Sequence, residues 1–157
     1  MYIAGHVGVA LLCYAPVAAA LVSTGSPELA AVGTVAAIAV AGLPDVDHSL
    51  PVEHRGPTHT VWFAGAVALL AGGLGALSGV VLGDGLVLAA VLGSAVFVSV
   101  ISHLLADSIT PTGISPFYPL SDWHHSFDIV PAANPRANAA FLSLGLLFTV
   151  LCLVLVV

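Results

Sequence analysis

Lysine is absent from this 157-residue chain, and arginine occurs only at Arg55 and Arg136. Eight acidic residues bring the formal net charge to −6. No basic stripe exists to track a phosphate backbone, which excludes the nucleic-acid binders. Charge of either sign is scarce. Only 6% of residues are charged and 59% are hydrophobic, whereas a soluble domain is about a quarter charged. Such a chain cannot coat itself against water, so lipid must cover much of it. Cysteine is scarce too. Cys13 and Cys152 each sit alone in an apolar run, read as small buried hydrophobes that say nothing of the redox compartment. The opening residues, Met1 to His6, lack the positive segment of a signal peptide, so the first apolar run is expected to be a retained helix. With no linker or repeat, residues 1–157 are expected to form one membrane-embedded domain.

What is present is a series of long apolar runs. A helix needs about 20 apolar residues to cross the hydrocarbon core. The expected helices run from about Tyr2 to Val22, Glu28 to Leu43, Thr58 to Val81, Leu86 to Ile109 and Ala137 to Val157. Turn-formers separate them, notably Ser23 to Pro27 and Leu82 to Gly85. The runs are continuous and too long for barrel strands. The expectation is an all-α, integral membrane bundle of about five transmembrane helices. Gly72, Gly75 and Gly79 on the third helix either mediate close helix packing or reflect an Ala/Gly-rich composition.

Five alternating crossings sort the polar residues. One membrane face receives His6, the loop 44–57, the start of the third helix, the end of the fourth helix and the loop 111–136. Every histidine and both arginines fall there. The other face receives Glu28 and Asp84. The positive-inside rule then places the polar face in the cytoplasm.

Three clusters on that face carry chemistry. His103 and Asp107 are four apart at the end of the fourth helix, so their side chains share a face and can hold one divalent ion. The segment Leu43-Pro44-Asp45-Val46-Asp47-His48 puts two carboxylates at a helix C-terminus, where the dipole disfavours them unless a cation is present. The segment His54-Arg55-Gly56-Pro57-Thr58-His59 reads as a helix start, with Pro57 in the first turn, Thr58 as cap and His59 beyond. His6 opens the first helix at the same level. His124 and His125, beside Trp123, read as interfacial or accessory residues. One layer thus collects His6, Asp45, Asp47, His48, His59, His103 and Asp107. Mixed nitrogen and oxygen donors suit zinc, manganese or iron, and seven exceed what one zinc needs, so two metals are conceivable.

These motifs, with Gly5-His6 and Thr110-Pro111-Thr112-Gly113, resemble the YdjM-type family, whose members are labelled inner-membrane, metal-dependent hydrolases and sometimes LexA-regulated. The resemblance runs in order from His6 to about Pro119. It implies a membrane-bound hydrolase with some similarity to zinc phospholipase C-like enzymes. By motif match it implies His6, Asp45, His59, His103 and Asp107 as metal ligands, for zinc first, manganese or iron otherwise, with one to three ions. Asp47, His48, His54 and Arg55 also fall within the matched motifs. The segment Leu120 to Arg136 is not matched.

The leading expectation is phosphoester hydrolysis of a lipid or amphiphilic substrate. Metal would acidify a water. Whichever of Asp45 and Asp47 is not a ligand would serve as base, and Arg55 would hold a phosphate oxygen. Asp47, Arg55 and His48 are the expected catalytic residues. Membrane lipids are the expected partners, and nothing in the sequence specifies an oligomeric state. The alternatives are an adaptor with a structural metal and, less favoured, a metal or proton transporter. The middles of all five helices lack charged residues and histidine, whereas transporters place such residues near the bilayer midplane.

Overall fold

The computed structural model describes residues 1–156, and among them five α-helices and no strand are found. Helix α1 spans Ile3–Ser23, α2 Pro27–Ala39, α3 Val61–Leu82, α4 Gly85–Ser108 and α5 Pro135–Val154. Two 3-10 stretches, Leu43–Ser49 and Pro57–His59, lie between α2 and α3. An antiparallel bridge joins Ile114 to His125 in the long loop before α5. All five helical segments are long and apolar enough to cross a membrane, provided α2 is taken together with its 3-10 continuation to Ser49. The expected all-α membrane bundle is therefore the architecture observed.

Three boundaries differ from the sequence reading. The α-helical part of α2 stops at Ala39, before the expected Leu43. Pro44 cannot donate an amide hydrogen and disfavours helical geometry in the residue before it, so the chain tightens into the 3-10 form. The cap of α3 is Thr60, whose hydroxyl accepts from the Phe63 amide at 3.2 Å. Thr58 was the expected cap, but its hydroxyl donates to Asp47 at 3.1 Å instead. Helix α5 starts two residues before the expected Ala137, because Asn134 caps it by accepting from the Arg136 and Ala137 amides.

Small residues set the packing. Helix α1 lies against α5, α2 and α4, and α3 lies against α4. Gly8 of α1 meets the backbone of Phe141, and Gly145 of α5 meets the backbone of Gly8, so neither site has room for a Cβ. Gly72, Gly75 and Gly79 all face α4, where a Cβ would touch Ala89, Leu88 and Gly85 respectively. Close packing, rather than composition alone, is what these three glycines serve. Tyr14, Ala18, Ala30, Ala37 and Ala95 form one buried cluster, and Ala64, Val96, Val100, Leu104 and Ile114 another. Large apolar side chains such as Leu69, Val80, Leu86 and Leu147 point outward, as lipid-facing residues do. Up-and-down connectivity brings the start of α1, both 3-10 stretches, the end of α4 and the loop 109–134 to one end of the bundle.

Candidate metal centre

At that end the buried residues are polar. His6, Asp47, His59, His103 and Asp107 are almost wholly withdrawn from solvent. Asp45 keeps partial exposure, at 29% of its side chain. Each comes from a different local device. His103 and Asp107 share one face of the last turns of α4. The 3-10 turn after Pro44 aims Asp45 and Asp47 inward. The short 3-10 turn at Pro57 presents His59 before α3 begins.

Asp45, His59, His103 and Asp107 bring one ligand atom each to a common point. The two Nε2 atoms of His59 and His103 are 3.3 Å apart. His59 Nε2 lies 3.4 Å from Asp107 Oδ2 and 3.6 Å from Asp45 Oδ1. His103 Nε2 lies 3.6 Å from each of the same two oxygens. A tetrahedral ion with bonds of about 2.0–2.2 Å spaces its ligand atoms about 3.3–3.6 Å apart. Hydrogen bonds between nitrogen and oxygen are shorter, about 2.7–3.2 Å. The separations suit ligands of one ion better than hydrogen-bonded partners.

The protonation pattern agrees. His103 Nδ1 is 2.8 Å from the Ala41 carbonyl, which can only accept, so Nδ1 carries the hydrogen and a neutral ring turns its Nε2 lone pair inward. His59 Nδ1 lies 3.3 Å from Asp47 Oδ2 and 3.1 Å from the Thr58 hydroxyl, which orients its ring the same way. Two lone pairs and two carboxylates then converge in a dry site. A cation is the simplest group that reconciles them. With no metal bound, protons supply part of that charge. Burial opposes a charged His59, but its contacts with Asp107 and Asp45 outweigh burial and raise its pKa above 6.5.

The surrounding residues hold this set in place. Asp47 Oδ2 accepts from the Arg55 amide at 2.9 Å as well as from Thr58, and its Oδ1 faces His54 at 3.0 Å and His48 at 3.2 Å. Asp47 is thus fully engaged behind His59. Arg55 Nη1 donates to Thr110 Oγ1 at 3.1 Å and to the Gly113 carbonyl at 2.8 Å. Its Nη2 lies 3.2 Å from Asp107 Oδ1, and the Met1 amine lies 3.0 Å from that same oxygen. The buried Nε of Arg55 lacks a partner among the described residues.

Of the eight expected site residues, Asp45, His59, His103 and Asp107 form the inner set. His6 flanks it, with Nε2 3.8 Å from Asp45 Oδ2 and 3.7 Å from Asp107 Oδ1. Asp47 and Arg55 stand behind the ligands. His48 lies at the rim, with its side chain 60% exposed. With His54, Asp45 and Asp47 it forms a second, outer cluster. His124 and His125 stay apart, His124 on Ser115 and His125 stacked on Trp123. The sequence reading missed the Ala41 carbonyl, and no side-chain signal marks a backbone acceptor. It also missed Asn138, buried on α5, which accepts from the Tyr2 amide and donates to the Ala132 and Asn134 carbonyls. An asparagine one turn into an otherwise apolar helix is the signal that could have found it.

The chain matches the family model described as YdjM inner membrane protein over residues 1–157. It is also similar to a protein of Methanothermobacter thermautotrophicus described as "Uncharacterized protein ORF4'", with 36% identity over 69 residues. That match covers 40% of this chain and only 27% of the archaeal protein. No solved structure matches the chain.

Proposed function

Since the chain belongs to the YdjM inner membrane protein family, we propose that it is a membrane-embedded, metal-dependent hydrolase that cleaves a phosphoester in a lipid or similar amphiphile. The observation that carries this reading is the convergence of His59 Nε2, His103 Nε2, Asp45 Oδ1 and Asp107 Oδ2 at ligand spacing, with Asp45 as the one member that reaches solvent. These four residues hold the ion, zinc first, with manganese or iron as alternatives. A divalent ion there supplies Lewis acidity that brings the pKa of water near neutrality and polarises a phosphoryl oxygen.

The protein's own groups do the rest. Asp47 orients His59 and raises its basicity through the Nδ1 contact, as carboxylates behind metal-bound histidines do. In this reading Asp47 is a positioning residue, because both its oxygens are occupied. Arg55 likewise fixes Asp107, and its Nε, the guanidinium nitrogen without a partner among the described residues, is left for an oxyanion. The partly exposed edge at Asp45 is where water and substrate reach the site. Water adds at phosphorus, and the P–O bond to the leaving alcohol breaks. Rim histidine His48 is placed to exchange the proton released. Trp62, Phe117, Tyr118, Trp123 and Phe127 are exposed near this end. Such aromatics favour the headgroup zone, which supports a lipid substrate and lipids as neighbours. By the positive-inside rule, the two arginines at this end favour a cytoplasmic orientation for it.

One observation favours a second reading, an adaptor with a structural metal. Four protein ligands can close a tetrahedral site, whereas catalytic zinc sites keep a position open. Phosphoester and lipid substrates screened with the detergent-purified protein separate the two. The hydrolase reading expects turnover that is lost on chelation, on His103→Ala and on Asp107→Ala. Metal bound without turnover on any phosphoester or lipid would leave the adaptor.

A further inference from the structure

His6 is fully buried, and neither of its ring nitrogens has a hydrogen-bond partner among the described residues. An unpaired buried imidazole costs free energy unless something satisfies it. Its Nε2 does not join the inner set. It points instead at the opposite oxygens of the same two carboxylates, Asp45 Oδ2 at 3.8 Å and Asp107 Oδ1 at 3.7 Å. Both distances are too long for hydrogen bonds. Asp45 and Asp107 therefore each turn one oxygen toward His59 and His103 and the other toward His6.

The His6 and His103 rings are stacked, with centroids 3.6 Å apart and planes within 7°. From these adjacent rings, His103 Nε2 faces Asp45 Oδ1 and Asp107 Oδ2, while His6 Nε2 faces Asp45 Oδ2 and Asp107 Oδ1. Paired metal ions in phosphoester-cleaving sites lie about 3.5–4 Å apart. We infer that His6 Nε2, Asp45 Oδ2 and Asp107 Oδ1 form a second divalent-cation position beside the first, with Asp45 and Asp107 bridging the two. This deepens the proposed function and rests on the inner set holding a metal. The pair would clamp two phosphoryl oxygens, a recognition suited to phosphate esters over amides.

The second position binds more weakly than the first. Asp107 Oδ1 already meets Arg55 Nη2 and the Met1 amine, so an incoming ion must share that oxygen with two cationic groups. The inner position has no such competitor. Filling is accordingly stepwise.

The test is manganese titration of the metal-stripped, detergent-purified chain, read by bound-metal analysis and electron paramagnetic resonance. Wild type should bind two ions in sequence. The six-line signal of a single manganese should give way to the broadened, exchange-coupled signal of a bridged pair. His6→Gln should bind one ion and keep the six-line signal, while its circular dichroism and melting temperature show that it still folds. His48→Ala should still bind two ions and show the coupled signal. One ion at saturation in wild type overturns the second position and leaves the first intact. Two ions, coupled or not, the second lost in His48→Ala, overturn it in favour of the outer cluster. No bound metal in wild type removes both the inner set and this inference. If His6→Gln fails to fold, a coupled signal that persists in His48→Ala decides, since an ion in the outer cluster, which shares Asp45 with the inner set, would be lost there.

Discussion

Helix α4 carries an aspartate at each end, and the two live in different surroundings. Asp84 stands exposed before the first turn, in the left-handed region at φ 57°, and caps nothing with its side chain. Asp107 lies in the last turn, 1% exposed, within reach of His6 from α1, His103 from α4 and Arg55 from the loop before α3. At the first end a charge is left in water, where it costs little. At the second, charges are withdrawn from water, and that is stable only if partners or an ion compensate. The comparison separates an end built as a turn from an end built to hold something.

The largest break in that contrast should come from the ligands. Asp107→Ala or His103→Ala should reduce bound zinc or manganese to background in metal analysis, with helical content by circular dichroism retained. A smaller effect is expected at Asp47, which touches no ion directly. Asp47→Asn should weaken metal affinity about 10–100-fold in competition with a chelator of known affinity.

Acid should act in the same direction. The imidazoles must be neutral to bind metal, and His59, whose contacts with Asp107 and Asp45 outweigh its burial, holds its proton to a higher pH than an ordinary histidine. Below that raised pKa the proton competes and affinity falls as pH drops. Above it affinity levels off. Isothermal titration across pH 5.5 to 8.5, at about half-unit steps around the ordinary histidine range, checks the sign. A loss of affinity toward high pH over this range would contradict it.

Away from the metal the effects should be on stability. Asn138→Ala leaves the Tyr2 amide without its acceptor beside the site, and should cost about 1–3 kcal/mol in a reversible denaturation assay. The smallest effect is expected at the opposite end of α4. Asp84→Ser should change neither metal content nor activity, with a stability change within about 0.5 kcal/mol. A clear loss of metal there would end the distinction between the two ends.

Much of the candidate site is legible in the amino-acid sequence. The i, i+4 spacing of His103 and Asp107 sets a shared face by helix geometry alone. Counting five crossings assigns His6, Asp45 and His59 to the same layer. Roles are less legible. Asp47 and Asp45 are two residues apart in one short turn, and no periodicity says which faces the ion. The 3-10 conformation turns Asp45 to the inner set and Asp47 to the back of His59. Arg55 reads as a phosphate clamp because a sequence shows a free guanidinium. Its terminal nitrogens hold Thr110, Gly113 and Asp107, partners distant in the chain, and only its Nε stays without a partner among the described residues.

The sequence by itself determined the solvent, the number of crossings and the end at which the polar residues gather. Those follow from hydropathy, run length and alternation, which are properties of consecutive residues. Only the tertiary structure decided which nitrogen and which oxygen face each other. The 3.3 Å between His59 and His103 Nε2 and the 3.6 Å stack of His6 on His103 depend on how closely α1, α4 and the loop before α3 approach. That approach is set by packing between segments remote in sequence, and local sequence carries no measure of it.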